Sequence, residues 1–268
     1  MAQIPVRVAE RLATGLKRFQ PILQSARTRD VNESDTSIIV TDTLSDLLGY
    51  DKYSEVTREH CIRGTFCDLA IKLEDKLQFI IEVKAIGLEL KDAHVKQAVD
   101  YAANQGVDWT MLTNGVEWRI FKVTYSKPID HELVLAFDLL KMNHRNGADL
   151  ADLYNLTREG LLKGALATYQ TQQQATSKFL LGALIVSEPL LDTLRREIRR
   201  LSPEVKIRNE DLRDVLINEV LKREVVDGEK AEDAKRKVQR AAAKLAKTVK
   251  DKATPQPGPA SASTPASE

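Results

Sequence analysis

The sequence predicts an α/β fold in which a mixed β-sheet is flanked by helices and followed by an all-helical C-terminal extension. Three observations carry this. Residues 66–73 and 77–84 alternate apolar and polar positions on either side of the polar stretch Glu74-Asp75-Lys76, as two paired strands do. Helically spaced apolar residues flank that pair, and Asn114-Gly115 then separates two more strand-like runs. From about Asp149 the alternation disappears and only helical spacing remains. The order is helix, three strands, helix, two or three strands, which suits a mixed sheet covered by helices.

Residues 5–29 read as a helix interrupted near Pro21, because proline removes a backbone donor and crowds the preceding turn. Val6, Val8, Leu12, Leu16, Phe19, Ile22 and Leu23 supply its apolar face. Arg7, Arg11, Lys17, Arg18, Arg27 and Arg29 supply a basic face, read as solvated in preference to a DNA-backbone contact. A second helix opens around Asp30–Glu33 and closes at Gly49, a residue suited to the left-handed stop. Asp30-Val31-Asn32-Glu33 resembles a capping box with Glu33 at the third helical position.

Val56–Ile62 is a candidate strand leading into the hairpin. Asp92 suits the cap of a helix running to about Asn104, with Val95, Ala98, Val99 and Ala102 small enough to lie tight on a sheet. His94, Gln97 and Tyr101 share an adjacent stripe of that helix. Trp109–Thr113 and Val116–Val123 form a hairpin about Asn114-Gly115, read as a type I′ turn, and Leu133–Phe137 is a further short apolar segment. Candidate helices follow at 149–169, 176–200 and 209–225, the last capped by Asn209. The predicted organisation is residues 1–145 as the α/β domain, 146–228 as the helical extension and 229–268 as a largely disordered Lys/Ala-rich and low-complexity tail.

A chain of 268 residues, 43% hydrophobic, can bury one substantial core and a smaller satellite. Its net charge of +1 excludes a strongly basic nucleic-acid coat protein, so affinity for a polyanion has to come from local patches. Cys61 and Cys67 make neither a metal spacing nor a disulfide framework, which fits a reducing, cytoplasmic setting. No run approaches 18 apolar residues, so no membrane partner is expected. The sequence contains no GxxxxGK[ST] phosphate loop, no strand-associated GxGxxG, no HExxH and no GxSxG elbow. Its four histidines, His60, His94, His131 and His144, make no zinc-ligand spacing.

What remains is Asp68, Glu82 and Lys84. If Leu73 pairs with Leu77 across a three-residue loop, Asp68 lies opposite Glu82, roughly 5 Å away between Cα atoms. Phe66, Asp68, Ala70 and Lys72 then share a face with Gln78, Ile80, Glu82 and Lys84, opposite the apolar set Cys67, Leu69, Ile71, Leu73, Leu77, Phe79, Ile81 and Val83. Two carboxylates that close repel unless a cation lies between them. Lys84 offsets part of that repulsion and a divalent ion would offset more. A surface salt bridge between Lys84 and one acid is the plain alternative.

Asp68 followed by Glu82-Val83-Lys84 on the next strand resembles the PD-(D/E)xK nuclease superfamily, within the α-β-β-β-α-β order those nucleases share. Gln97-Ala98-Val99-Asp100-Tyr101 resembles the QxxxY motif of the nuclease domain in type I restriction enzyme R subunits, and the likeness covers roughly residues 30–125. The proline that names the motif is absent, since Phe66-Cys67 precede Asp68, and the helicase motor of a full R subunit is not seen. The resemblance implies a restriction-endonuclease-like fold and Mg²⁺- or Mn²⁺-dependent hydrolysis of DNA.

On the same resemblance, Asp68, Glu82 and the Val83 main-chain carbonyl would hold the metal, and Lys84 would orient or help deprotonate water. Glu33 would be a metal-linked acid if it is not simply a helix cap, and Gln97 and Tyr101 would position site residues or DNA. The implied partners are DNA and a separate motor or specificity protein, with homo-oligomerisation through the helical extension open. The alternative is a catalytically silent nuclease-like module that binds nucleic acid or a protein.

Overall fold

The computed structural model of the chain describes residues 4–62 and 65–253, in two compact units, residues 1–170 and 171–268. The first unit opens with α1 (Val6–Thr28) and α2 (Glu33–Asp42), the latter continuing into a π-helical turn, Thr43–Leu47. A six-stranded sheet follows, in spatial order β1 (Val56–Ile62), β2 (Thr65–Leu73), β3 (Lys76–Val83), β4 (Trp109–Thr113), β5 (Glu117–Thr124) and β6 (Asp130–Asp138). All neighbours are antiparallel except β3 and β4, which run parallel because α3 (Asp92–Gln105) crosses between them. The expected mixed sheet flanked by helices is therefore the observed one. Short helices α4 (Gly147–Tyr154), α5 (Arg158–Leu162) and α6 (Ala165–Ala175) come next.

Each face of the sheet is buried under different helices. On one, Leu69, Ile71, Phe79, Ile81 and Val83 pack with Leu12, Leu16, Leu23, Val40 and Leu44 of the two N-terminal helices and the π turn. On the other, Ala70, Ile80, Leu112 and Phe121 pack with Val95, Val99 and Ala102 of α3, and Cys67 joins this second cluster rather than the first. Leu77 also lies there, opposite to expectation. The hairpin explains Leu77. Leu73 pairs with Lys76, so the turn is the two-residue Glu74-Asp75, both with positive φ (50° and 60°), and a bulge resets the register between Ile71 and Lys72. A one-residue slip moves a side chain to the other face, and Leu77 lies on the turn side of that slip.

Pro21 does not interrupt α1. Proline sits on the exposed side, while Leu12, Leu16, Phe19, Leu23 and Ala26 are buried on both sides of it, so packing offsets the lost backbone bond. Val6 and Ile22 point to solvent instead of joining the apolar face. Nor is the basic face wholly solvated. Arg11 makes two 2.7 Å bonds to the Glu159 carboxylate and donates to the main-chain oxygens of Leu47 and Leu48, capping the end of the π turn.

Asn114-Gly115 turns the chain by a different route from the one its dipeptide suggested. Only Gly115 has positive φ (83°), and the Asn114 Oδ1 accepts from the Val116 and Glu117 amides as a side-chain-built turn. The expected helix at 149–169 is divided, because Thr157 caps a new start and Gly164 takes φ of 66°. Gly160 in α5 cannot be enlarged, since a Cβ there would lie 2.0 Å from the Tyr154 main-chain oxygen. Gly160→Ala is expected to lower unfolding free energy by about 2 kcal/mol, read by urea denaturation, because the obstructing atom belongs to the backbone and cannot swing aside.

The second unit contains α7 (Lys178–Ile185), α8 (Glu188–Leu201), α9 (Asn209–Val215), a π-helical turn Leu216–Val220, α10 (Arg223–Val226) and α11 (Glu229–Ala253). Ser177 caps α7 on the Leu180 amide, and a further break at Ser187 divides the run expected as one helix from 176 to 200. Asn209 is not a cap; its Nδ2 donates to Glu188 and Asp192 while Arg208 and Asp211 close the helix start. Where a largely disordered tail was expected from residue 229, α11 is helical to Ala253, with Ala231 and Ala234 buried. The low-complexity segment 254–268 lies outside the described residues. No helix among the described residues is long and apolar enough to cross a membrane.

Candidate active site

The site forms where β2 and β3 enter the layer between α2 and α3. Leu69 pairs with Ile81 and Ala70 with Ile80, the register expected from the alternation, and Asp68 and Glu82 are the residues next to the Leu69–Ile81 pair. Asp68 Oδ2 accepts a 2.7 Å hydrogen bond from the Val83 amide, which fixes that carboxylate one residue from Glu82. Lys84 Nζ lies 2.6 Å from Glu82 Oε1. Glu82 is 2% exposed and Lys84 9%. This is a buried pair, and the surface salt bridge considered from sequence does not describe it.

Glu33 lies at the first position of α2, not the third. Asn32 caps the helix by accepting from the Asp35 amide, so Glu33 plays no part in a capping box. Its carboxylate instead approaches Lys84 Nζ at 3.7 Å. The approach is held by Thr36, a fully buried residue whose Oγ donates to the Asn32 carbonyl (2.7 Å) and accepts from the Ile86 amide (3.1 Å). That hydroxyl ties the start of α2 to the segment leaving β3. Asn114 holds the same segment from the other side, donating Nδ2 to the Leu88 carbonyl at 2.9 Å. Neither role was legible in sequence: a threonine inside a helix carries no signal for a partner fifty residues away, and Asn114 was explained by its turn.

Gln97 and Tyr101 lie one turn apart on α3 and bond to each other, Nε2 to Oη, at 3.4 Å. Among the described residues, neither bonds to Glu82 or Lys84. α3 covers the face carrying Ala70 and Ile80, which by strand alternation is the face of Asp68 and Glu82. His94 helps close the start of α3 by accepting from the Lys91 amide.

Electrostatics make Glu82 the most perturbed group of the cluster. Burial pushes its carboxyl up to about 7; the Lys84 bond opposes this, and the nearby Asp68 and Glu33 charges add to it. Lys84 is itself raised. Burial alone would lower the ammonium, but the bond to Glu82 and the charges of Glu82, Glu33 and Asp68 outweigh it. Lys84 is therefore a cation at neutral pH while Glu82 is poised between its two forms.

The second carboxylate oxygen of Glu82, Oε2, is buried and has no hydrogen-bond partner among the described residues. An orphaned anionic oxygen beside a second carboxylate is a fit for a hard divalent cation, which takes oxygen ligands. Among the described residues no group of three or more His, Cys, Asp and Glu side chains gathers as a metal cluster. The acids near Glu82 Oε2 are Asp68 and, beyond Lys84, Glu33.

With that geometry in place, the comparison with known families is direct. Residues 39–134 match the family model of the type I restriction enzyme R protein N terminus. Over those residues, which make up less than half of the chain, the sequence is similar to that N-terminal domain. The match takes in Asp68, Glu82, Lys84, Gln97 and Tyr101, and Glu33 lies before it. No curated protein and no solved structure matches the chain.

Proposed function

We propose that the chain is a Mg²⁺-dependent endonuclease that hydrolyses DNA phosphodiester bonds, acting alone or as the nuclease module of a restriction system. The orphaned, buried Oε2 of Glu82, on the carboxylate whose other oxygen pairs with Lys84, carries this reading. The family match supports a nuclease-like domain. Asp68, Glu82 and the Val83 carbonyl would hold Mg²⁺ or Mn²⁺. When bound, such an ion supplies Lewis acidity toward a phosphoryl oxygen and lowers the pKa of a bound water.

The protein's own groups do the rest. To hold such an ion Glu82 would be in its carboxylate form, without the proton that its burial favours. Lys84, kept as an ammonium by three acids, orients the attacking water and offsets negative charge at phosphorus in the transition state, a role that suits its raised pKa better than that of a base. Glu33, half exposed and 3.7 Å from Nζ, steers Lys84 between the two acids. Gln97 and Tyr101, joined on α3, position the site from the helix side or contact the DNA backbone.

The closed Glu82–Lys84 pair also suits a catalytically silent module that binds nucleic acid or a protein, because a 2.6 Å bond already neutralises one carboxylate oxygen. One experiment separates the two. Purified protein is incubated with supercoiled, linear and single-stranded DNA, with Mg²⁺, with Mn²⁺ and with chelator, and its melting temperature is followed alongside. The nuclease reading expects metal-dependent cutting and a metal-induced rise in melting temperature that Glu82→Ala removes. No cutting of any DNA form, with a melting temperature indifferent to metal, would leave the silent module.

A further inference from the structure

We infer that α11 is a DNA-backbone contact, a basic helix through which the chain grips duplex phosphates independently of the carboxylate site. Residues 235–253 carry eight Lys and Arg against one acid, Asp251. The rest of the chain then holds 32 basic against 38 acidic residues, so the small positive net charge conceals a strong asymmetry. The helix is anchored on one side, where Ala231 and Ala234 are buried and Val238 is half-buried. Lys237, Arg240 and Lys244, spaced i, i+3 and i+7, share a stripe of the helix away from that anchor, and all three are exposed.

The acids of α11 are few and stand mostly at its start. Lys235 bonds to Glu232 at 2.7 Å and Arg236 pairs with Asp233, one turn before the stripe. From Gln239 to Lys244 every residue is exposed, and the only acid in the sequence that follows, up to Ala253, is Asp251. A helix this cationic, seated by one end, is complementary to a regularly spaced line of phosphates. A membrane surface is the poorer partner. Interfacial helices insert Trp, Phe or several Leu on a broad apolar face, whereas residues 235–253 contain no Trp or Phe and, besides alanines, only the apolar residues Val238, Leu245 and Val249.

The inference rests on the nuclease reading only in taking DNA as the polyanion, and its test is run in chelator, where the proposed cutting is off. Binding of the full chain to a fluorescent duplex is titrated at a series of salt concentrations. The comparison is with Lys237→Gln/Arg240→Gln/Lys244→Gln and with a charge-keeping variant, Lys237→Arg/Arg240→Lys/Lys244→Arg. Each phosphate contact contributes about 0.9 to the slope of log affinity against log salt. The neutral triple variant is expected to lose about 2 to 3 of that slope and at least roughly tenfold in affinity, at unchanged helicity, while the charge-keeping variant retains both.

Equal slopes and affinities in all three proteins would overturn the assignment. So would a triple variant that keeps its DNA binding but loses binding to vesicles of phosphatidylserine and phosphatidylcholine, which would make α11 a membrane contact. A wild-type chain that shows the steep slope yet never cuts DNA with metal would sink the nuclease reading and leave this one standing.

Discussion

Glu82→Gln is expected to reduce metal-dependent DNA cleavage by about two to four orders of magnitude while leaving the protein folded. The substitution keeps the size of the side chain and removes its charge. Lys84→Ala is expected to lose activity on the same scale, for a different reason: the cation that orients water and offsets charge at phosphorus is gone. The two variants should separate in stability. Removing Lys84 leaves a 2%-exposed carboxyl with no partner on either oxygen, a change that costs about 3–5 kcal/mol where a buried pair is broken. Initial rates on supercoiled plasmid, with thermal unfolding of the same preparations, check both halves. Cleavage at the wild-type rate in both variants would remove Glu82 and Lys84 from the chemistry altogether.

Metal-free protein is expected to lose stability as pH rises from about 4.5 to about 7. The direction follows from Glu82, whose folded-state pKa stands near 7 against 4.5 for the free group. Between those values the folded state holds a proton that the unfolded state has released, so unfolding is favoured progressively as pH increases. The stabilisation is complete below the unfolded value and gone above the folded one. Its size is roughly 3 kcal/mol, because each tenfold difference in proton affinity is worth about 1.4 kcal/mol. Denaturant midpoints measured from pH 4.5 to 8 should trace the decline, and Glu82→Gln should flatten it. Saturating Mg²⁺ should also flatten it, because a bound cation favours the carboxylate in the folded state and opposes the proton. A wild-type profile with no slope in this window would mean that Glu82 is not buried as a strained acid.

Much of the fold was legible because its decisive signals are local. Period-two alternation in 66–73 and 77–84, helical spacing in 95–102 and the glycine at 49 each report on a few neighbouring residues. Where several local signals had to compete, sequence alone chose less well. Pro21 carries a strong breaking tendency, yet the buried stripe on both sides of it kept α1 whole. Glu33 fitted a capping box on spacing, but Asn32 is the residue that caps α2 and Asp35 the one it captures. In the hairpin, Glu74 and Asp75 adopt positive φ without glycine, and the bulge compensates for the shorter turn by restoring the register in which Leu69 pairs with Ile81. A register argued from burial held even where the turn was drawn with one residue too many.

The sequence by itself determined which face of the β2–β3 hairpin carries Leu69, Ile71, Phe79, Ile81 and Val83 and which carries Ala70 and Ile80, because side chains alternate along a strand. It also determined the α/β class and the helical character of the C-terminal region. Only the tertiary structure decided that this face is dry. α3 covers it and α2 brings Glu33 to 3.7 Å from Lys84, placements that depend on Thr36 and Asn114 bonding to a segment distant in sequence. Burial is what raises Glu82 to about 7 and leaves its Oε2 without a partner. Desolvation is a property of everything packed around a group, so no spacing of residues along the chain can state it.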